Sequence, residues 1–334
     1  MIPAAELLCA LSDLIGPSGQ EGPVRVRLRE WLSPLAAGIW EDALGSLFLR
    51  RAGAAGGRRL LVLVPMDEPG IVVTHIDARG RAAVAALGPL AARAVAGGRV
   101  RFGSGVTAAV GMRRSEEEPT RLAFERLHLD FGLSSREEAD GVVRVGDVAV
   151  FDVRAVGLPG GQVCGKALGS RAACAAAVLA LRQAGSDGPE TTVAFLAQSA
   201  VGHRGVRPAV ARVPADLIVS MGAVVAAGTS KEGRADVRLG AGPALVVQDR
   251  GLIASASAVD ALAAAAGAAG IPLQVAVGDP GQSAAGPALM AAAGVPAGAL
   301  GIPVRHLHTA AEVCHPVDVE AAAAILARLL AGRA

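Results

Sequence analysis

A long block without helical spacing sits between two α/β stretches, and this change of texture constrains the architecture more than any other feature of the 334 residues. Ahead of it, residues 3–14 and 21–33 carry apolar positions at helical intervals, separated by the breaker cluster Gly16-Pro17-Ser18-Gly19. EDALGSLFLRR (41–51) reads as strand, turn and strand about Gly45, and RRLLVLV (58–64) as a short buried strand. After Pro69, IVVTHIDARGRAAVAAL (71–87) alternates around a turn at Asp77-Ala78-Arg79-Gly80, the pattern of a hairpin. Short strands are expected near 99–110 and 121–131, a short helix in SSREEADG (134–141), and a strand pair turning at Gly146-Asp147 in VRVGDVAVFD (143–152).

From 165 onward helices and strands alternate. Helices are expected at 170–184, 257–269, 283–293 and 317–331, and strands at 191–197, 215–221, 273–277 and 298–301. Alternation on this scale argues for a layered α/β domain. The simplest organisation is one α/β domain over 1–68 and 162–334, split by a β-rich, barrel-like domain over 69–161.

Composition removes several functions. A formal net charge of +2 with scattered Lys and Arg gives no field for nucleic acid or an anionic membrane. Aromatics make up 2% and Tyr is absent, so base stacking is poorly supplied. Cys9, Cys164, Cys174 and Cys314 form no C-x-x-C pair and are too few for a disulfide framework, which suggests thiols in a reducing compartment. Glu6 and Asp13 and the lack of a basic start argue against a signal peptide. Pro280, Pro287, Pro296 and Pro303 break the charge-free stretch 280–304, making it a poor membrane span. The expectation is a soluble cytoplasmic protein.

Each candidate motif has a bland alternative. Asp67-Glu68, at the end of a buried strand, could be an acid/base pair or part of a metal site, or a turn with solvated carboxylates. GKALGSRAAC (165–174) lacks the phosphate-loop pattern, and Ser170 suits a helix N-cap. His203 in QSAVGHRG (198–205) could be catalytic or structural. His306 and His308 in GIPVRHLHTAAE (301–312) would point the same way on a strand, so a metal pair is conceivable. Ser283 does not satisfy G-x-S-x-G.

Together these segments resemble one family, the dinuclear-metal tetrahedral (TET) aminopeptidases of peptidase clan MH, which include glutamyl aminopeptidases and cellulase M-like proteins. IGPSGQE (15–21), EDALGSL (41–47), PMDEPGIVVTHID (65–77), LDFGLSSREEA (129–139), RVGDVAVF (144–151), GKALGSRAAC, QSAVGHRG, GPALVVQDRG (242–251) and GIPVRHLHTAAE carry the likeness in order. It implies a three-layer αβα sandwich with an inserted β-barrel dimerisation domain, built into hollow oligomers. It also implies two divalent cations, typically zinc or cobalt, held by two His and three acidic residues, with a Glu as general base.

This sequence departs from that pattern at the chemistry. Pro65 stands at the first His, Gly169 at the bridging Asp, and Ser199-Ala200 at the Glu-Glu pair; Ser220-Met221-Gly222 offers no carboxylate. His308 is the one ligand position kept, and Asp67 is the kept residue that would orient the missing His. One imidazole falls short of the three or four protein ligands a zinc ion takes, so no bound metal is expected. The resulting expectation is a catalytically degenerate homologue acting as an assembly, regulatory or binding subunit. It would be a homo-oligomer, dimer or higher, or a hetero-oligomer with an active relative, and could take a peptide or small molecule. The alternatives are new chemistry from Ser170, Cys174, Ser199, His203 and His308 in the old cleft, or residual metallo-aminopeptidase activity.

Overall fold

The computed structural model describes residues 2–53, 57–113, 122–185, 188–227, 237–278, 283–291 and 294–332. A mixed sheet runs through the molecule in the order Gly38–Glu41, Leu47–Arg51, Glu190–Leu196, Arg59–Pro65, Leu217–Val225, Ala297–Arg305, Glu312–Cys314, Val163–Gly165 and Val156–Gly157, with Ala244–Val246 and Gln274–Ala276 joined at the side. Its four central strands, from Glu190–Leu196 to Ala297–Arg305, are mutually parallel. Residues on the central strands alternate between two cores. Leu60, Val62 and Val64 face the helices Ala4–Ser12, Gly22–Leu32, Leu168–Gln183, Ala256–Ala269 and Pro316–Leu330. Leu61 and Leu63 face Val206–Arg212 and Ala285–Leu289. Apolar residues on both faces suit a parallel sheet covered on both sides, and the result is an αβα sandwich.

The Leu168–Gln183 helix lies in the thickest layer. Its run from Ala172 to Ala177 is fully buried, all alanine apart from Cys174, so small side chains let the helix sit close to the sheet. From Arg59–Pro65 the chain reaches first one neighbour, Glu190–Leu196, and then the other, Leu217–Val225. The strand order therefore reverses at Pro65, and a crevice opens beyond the carboxyl ends of the parallel strands.

The β-rich block closes into a six-stranded antiparallel barrel in the order Gly70–Ile76, Ala82–Leu87, Leu127–Asp130, Thr107–Met112, Arg99–Phe102 and Val148–Phe151. It has its own core, including Ile71, Val84, Phe102, Val110 and Leu129.

Several expectations need correction. VRVGDVAVFD holds one strand, Val148–Phe151; residues before it form a turn in which Gly146 N–H donates to Val73 C=O and Asp147 N–H to Arg144 C=O. The helix expected at 283–293 is Ala285–Leu289, and Pro280, residue 121 and residues 292–293 lie outside the described residues. His306 and His308 do not share a strand: it ends at Arg305, and both follow in left-handed conformation, φ 55° and 63°. Ser170 is not an N-cap. The helix starts at Leu168 behind a left-handed Ala167, and Ser170 lies in the first turn. No described helix is long and apolar enough to cross a membrane.

Candidate functional site: a cleft at the carboxyl ends of the parallel strands

A cleft of about 420 Å³ lies at the strand-order reversal. It gathers residues from several parts of the chain, among them Pro65, Asp67 and Pro69; Gly169 and Ser170; Ser199, Ala200 and His203; Arg250; and Leu307, His308 and Glu312. Met221, Gly222 and Ala223 form another wall. Nearly every position singled out from sequence is therefore in one place. Five non-glycine residues on its walls or next to them have positive φ: Ala167, Gln198, His203, His306 and His308. Such conformations cost free energy and cluster where surrounding structure dictates them.

Beneath the cleft lies a buried charge cluster. Lys166 Nζ donates to both oxygens of Glu68 at 2.8 Å and to Leu14 C=O at 2.7 Å. Arg171 donates through Nη2 to Glu68 Oε1 at 3.1 Å, through Nη1 to Met66 C=O, and through Nε to Leu11 C=O. All three side chains are within 2% of full burial. Burial pulls the Lys166 ammonium below its usual range, and the Glu68 charge opposes that fall. Glu68 is thus a structural anchor facing away from the cleft, and the reading of solvated carboxylates at this turn does not hold.

Asp67 plays a different part. Its Oδ2 accepts from Ser18 Oγ at 2.6 Å and from Ala200 N–H at 2.8 Å, tying the strand end to two loops. Its Oδ1 is buried and has no hydrogen-bond partner among the described residues. Ser170 Oγ donates to Asp67 C=O at 2.6 Å, which holds the same turn from the helix side.

Sequence reasoning gave no role to Glu312. Its Oε2 accepts from Gly169 N–H and its Oε1 from His308 N–H, each at 2.7 Å. It therefore clamps the start of the Leu168–Gln183 helix to the loop that carries His308. Complete burial pushes its carboxyl up to about 7, although both amide donors act the other way. The only sequence signal was its place four residues after His308. Burial also lowers the His308 imidazole from its usual value, which favours the neutral ring at pH 7.

Cys174 corrects the list of candidates for new chemistry. It is fully buried in the helical layer, donates its thiol to Pro65 C=O at 3.3 Å, and burial pushes it up to about 12. A thiol with so little thiolate and no access is no nucleophile.

The donor set does not suit a pair of divalent cations. Pro65, Gly169, Ala200 and Met221 have no ligating oxygen or nitrogen on their side chains, and both oxygens of Glu312 already accept amides. Among the described residues no group of three or more His, Cys, Asp or Glu is arranged to hold a metal ion. The space near Gly169 has also been taken: a Cβ there would meet Leu307 Cδ2 at 2.8 Å.

Comparison with known proteins agrees with the fold. Residues 45–325 match the family described as M42 glutamyl aminopeptidase. A relative from Acetivibrio thermocellus, carried under an aminopeptidase name, is 32% identical over 321 residues, 96% of each chain. The lysyl aminopeptidase of Pyrococcus furiosus is 25% identical over 94% of this chain and 93% of its own. Among solved structures, an aminopeptidase from the archaeon Desulfurococcus kamchatkensis superposes with a TM-score of 0.93 at 27% identity, covering 98% of this chain and 94% of its own. A TET aminopeptidase from a marine-sediment Thaumarchaeota archaeon superposes at 0.91 with 26% identity, covering 98% and 95%.

Proposed function

We propose that this chain, which belongs to the M42 glutamyl aminopeptidase family, is a non-catalytic member that keeps the family's frame and uses its cleft for binding within an assembly. The observation behind this is the donor set: side chains without ligating atoms line the cleft where the family resemblance calls for metal ligands, while the Glu68–Lys166–Arg171 anchor beneath is complete. Electrostatics make the combination coherent. Carboxylates packed together without cations repel one another and resist ionisation. A chain that lost the metals yet kept all their acidic ligands would hold an unbalanced cluster. Here the buried Glu68 is paired with both Lys166 and Arg171, and Glu312 is held by two backbone amides.

Metal-dependent hydrolysis needs a cation-activated water and a base to take its proton. The residue at the position of the general base lies within Ser199-Ala200, and neither has a carboxylate. Loss of several cooperating groups removes such a mechanism as a unit.

The barrel supports the assembly part of the reading. It is closed, has its own core, and is the element that the family resemblance assigns to dimerisation. We place the first domain boundary at 68/69 and the second ahead of Val156–Gly157, which pairs into the large sheet, rather than at 161/162, and the protein in the cytoplasm. Assembly with an active relative through the barrel would give the protein a regulatory role.

The test uses the purified full chain with zinc or cobalt and a panel of aminoacyl anilides, alongside native mass measurement. The expected result is no chelator-sensitive hydrolysis and a dimer or larger species. Hydrolysis that appears with metal and disappears with chelator would overturn the reading.

A further inference from the structure

We infer that the outer wall of the barrel carries a binding site of its own, an arginine-lined hollow for a small phosphate-bearing molecule. The hollow shares no lining residue with the cleft, so it does not depend on the non-catalytic reading above.

It has a volume of about 390 Å³ and is lined by Asp77, Ala78, Arg79, Arg81, Arg113 and His128. Its shape follows from small residues in the barrel wall. His128, on the strand Leu127–Asp130, is flanked across the sheet by Ala83 and Gly111. A Cβ on Gly111 would lie 2.5 Å from His128 Nε2, so the imidazole lies over the glycine. Glycine within a strand commonly marks such a close approach. Two small neighbours and a ring laid across one of them leave a dip in the wall. His128 Nδ1 is enclosed, so the ring is a floor and not a hydrogen-bonding partner for an occupant through that atom.

The arginines stand around this floor on fixed mounts. Asp77 Oδ1 accepts from Arg79 N–H at 2.9 Å and from Arg81 N–H at 3.0 Å, and Asp77 N–H donates to Arg81 C=O, which locks the hairpin turn. At the end of Thr107–Met112, Arg113 N–H donates to Arg126 C=O at 2.9 Å, and Arg126 Nη2 donates to Arg113 C=O at 3.0 Å. Arg79, Arg81 and Arg113 are exposed, and none of them forms an ion pair among the described residues.

Charge and geometry restrict the occupant. Three guanidiniums share the hollow with one carboxylate, an excess of two positive charges. Arg126 and Asp130, two residues to either side of His128, cancel each other. Residues 114–121 lie outside the described residues; counting their Arg114, Arg121, Glu116, Glu117 and Glu118 still leaves an excess of one. A guanidinium keeps its charge and presents a rigid fork of donors that matches carboxylate or phosphate. One fork is enough for a carboxylate. Three around one hollow suit an anion with more oxygens and more charge. A phosphate group has three acceptor oxygens besides any ester link and carries close to two negative charges above pH 7.

The experiment is calorimetric titration of the full-length protein at pH 8 and constant ionic strength with inorganic phosphate, phenyl phosphate and benzoate. Phosphate should bind saturably, one per chain, with a Kd of about 1 mM or tighter, and benzoate at least about tenfold more weakly. Tighter binding of phenyl phosphate identifies an ester as the fitting source, and tighter binding of inorganic phosphate the free ion; either supports the site. Arg81→Gln and Arg113→Gln should each weaken phosphate by at least about fivefold, with melting temperatures close to wild type. Arg81→Lys keeps the charge but loses the fork, and should weaken it by a smaller factor. Arg93→Gln removes an equal charge from the barrel helix Ala92–Val95, outside the hollow, and should leave binding unchanged. No saturable binding of either phosphate, equal binding of benzoate, or equal weakening by Arg93→Gln would overturn the proposal. Each of these results leaves the reading of the cleft standing, since that reading turns on zinc and hydrolysis.

Discussion

A Cβ placed on Gly169 would lie 2.8 Å from Cδ2 of Leu307, so the leucine stands in the space that any longer side chain at 169 would need. The same Cβ would be 3.6 Å from Glu312 Oε2. Gly169→Asp therefore has to displace Leu307 and set a second carboxylate against Glu312. The expected loss of stability is about 1–3 kcal/mol at pH 8 in urea denaturation. The loss should shrink in a Leu307→Ala background, and metal binding should not return in either. An equal loss in both backgrounds would show that Leu307 is not the obstacle.

Glu68 is the shared partner of two buried cations, Lys166 and Arg171. Glu68→Ala would leave Lys166 and Arg171 buried without their shared counter-ion, and removal of one partner from a buried ionic group costs about 3–5 kcal/mol. Chemical denaturation should register a loss of that size. A change below about 1 kcal/mol, typical of exposed pairs, would mean the cluster is hydrated.

Glu312 sets a pH dependence. Its folded-state carboxyl is raised from 4.5 to about 7 by burial. The folded state therefore holds this proton more tightly than the unfolded chain does. The stabilisation is fully present below pH 4.5 and is lost as pH rises through about 7, with a magnitude on the order of 3 kcal/mol. Glu312→Gln removes that titration and puts an amide NH₂ against one backbone donor, a cost that does not vary with pH. The difference in unfolding free energy between wild type and variant should thus fall as pH goes from 4.5 to 8. A constant difference across that range would contradict the assignment.

Cys174 should be inert. Buried and held up to about 12, it should stay unmodified by iodoacetamide in the native protein. The partly exposed Cys9 and Cys164 should react first, and peptide mass mapping would show the order. Early labelling of Cys174 would reopen a thiol-based reaction in the cleft.

The parts of the fold legible in the sequence were those with a long repeating pattern. The strand Arg59–Pro65 carries consecutive apolar residues because the sheet is covered on both faces, and the hairpin through Asp77–Gly80 alternates because one face of the barrel wall is buried. Val163–Gly165, Ala244–Val246 and Glu312–Cys314 are three residues each, too short to show a period; the last two form against the nine-residue Ala297–Arg305, and Val163–Gly165 forms against Glu312–Cys314 in turn. The cleft positions were legible through family likeness. The role of Glu312 was not, since its partner Gly169 is 143 residues away and its raised carboxyl depends on burial alone. The packing of Leu307 against Gly169 left no trace either, because a leucine beside two histidines has no sequence pattern that indicates which space it fills.

Zinc stoichiometry tests the central claim most directly. The full-length protein would be dialysed to equilibrium against excess zinc, freed of unbound ion, and measured by plasma mass spectrometry, with an active relative of the family as reference. The account predicts well under one tightly held zinc per chain, because the cleft lacks the three or four protein ligands such an ion takes. Two zinc ions per chain, lost on substitution of His308, would contradict it.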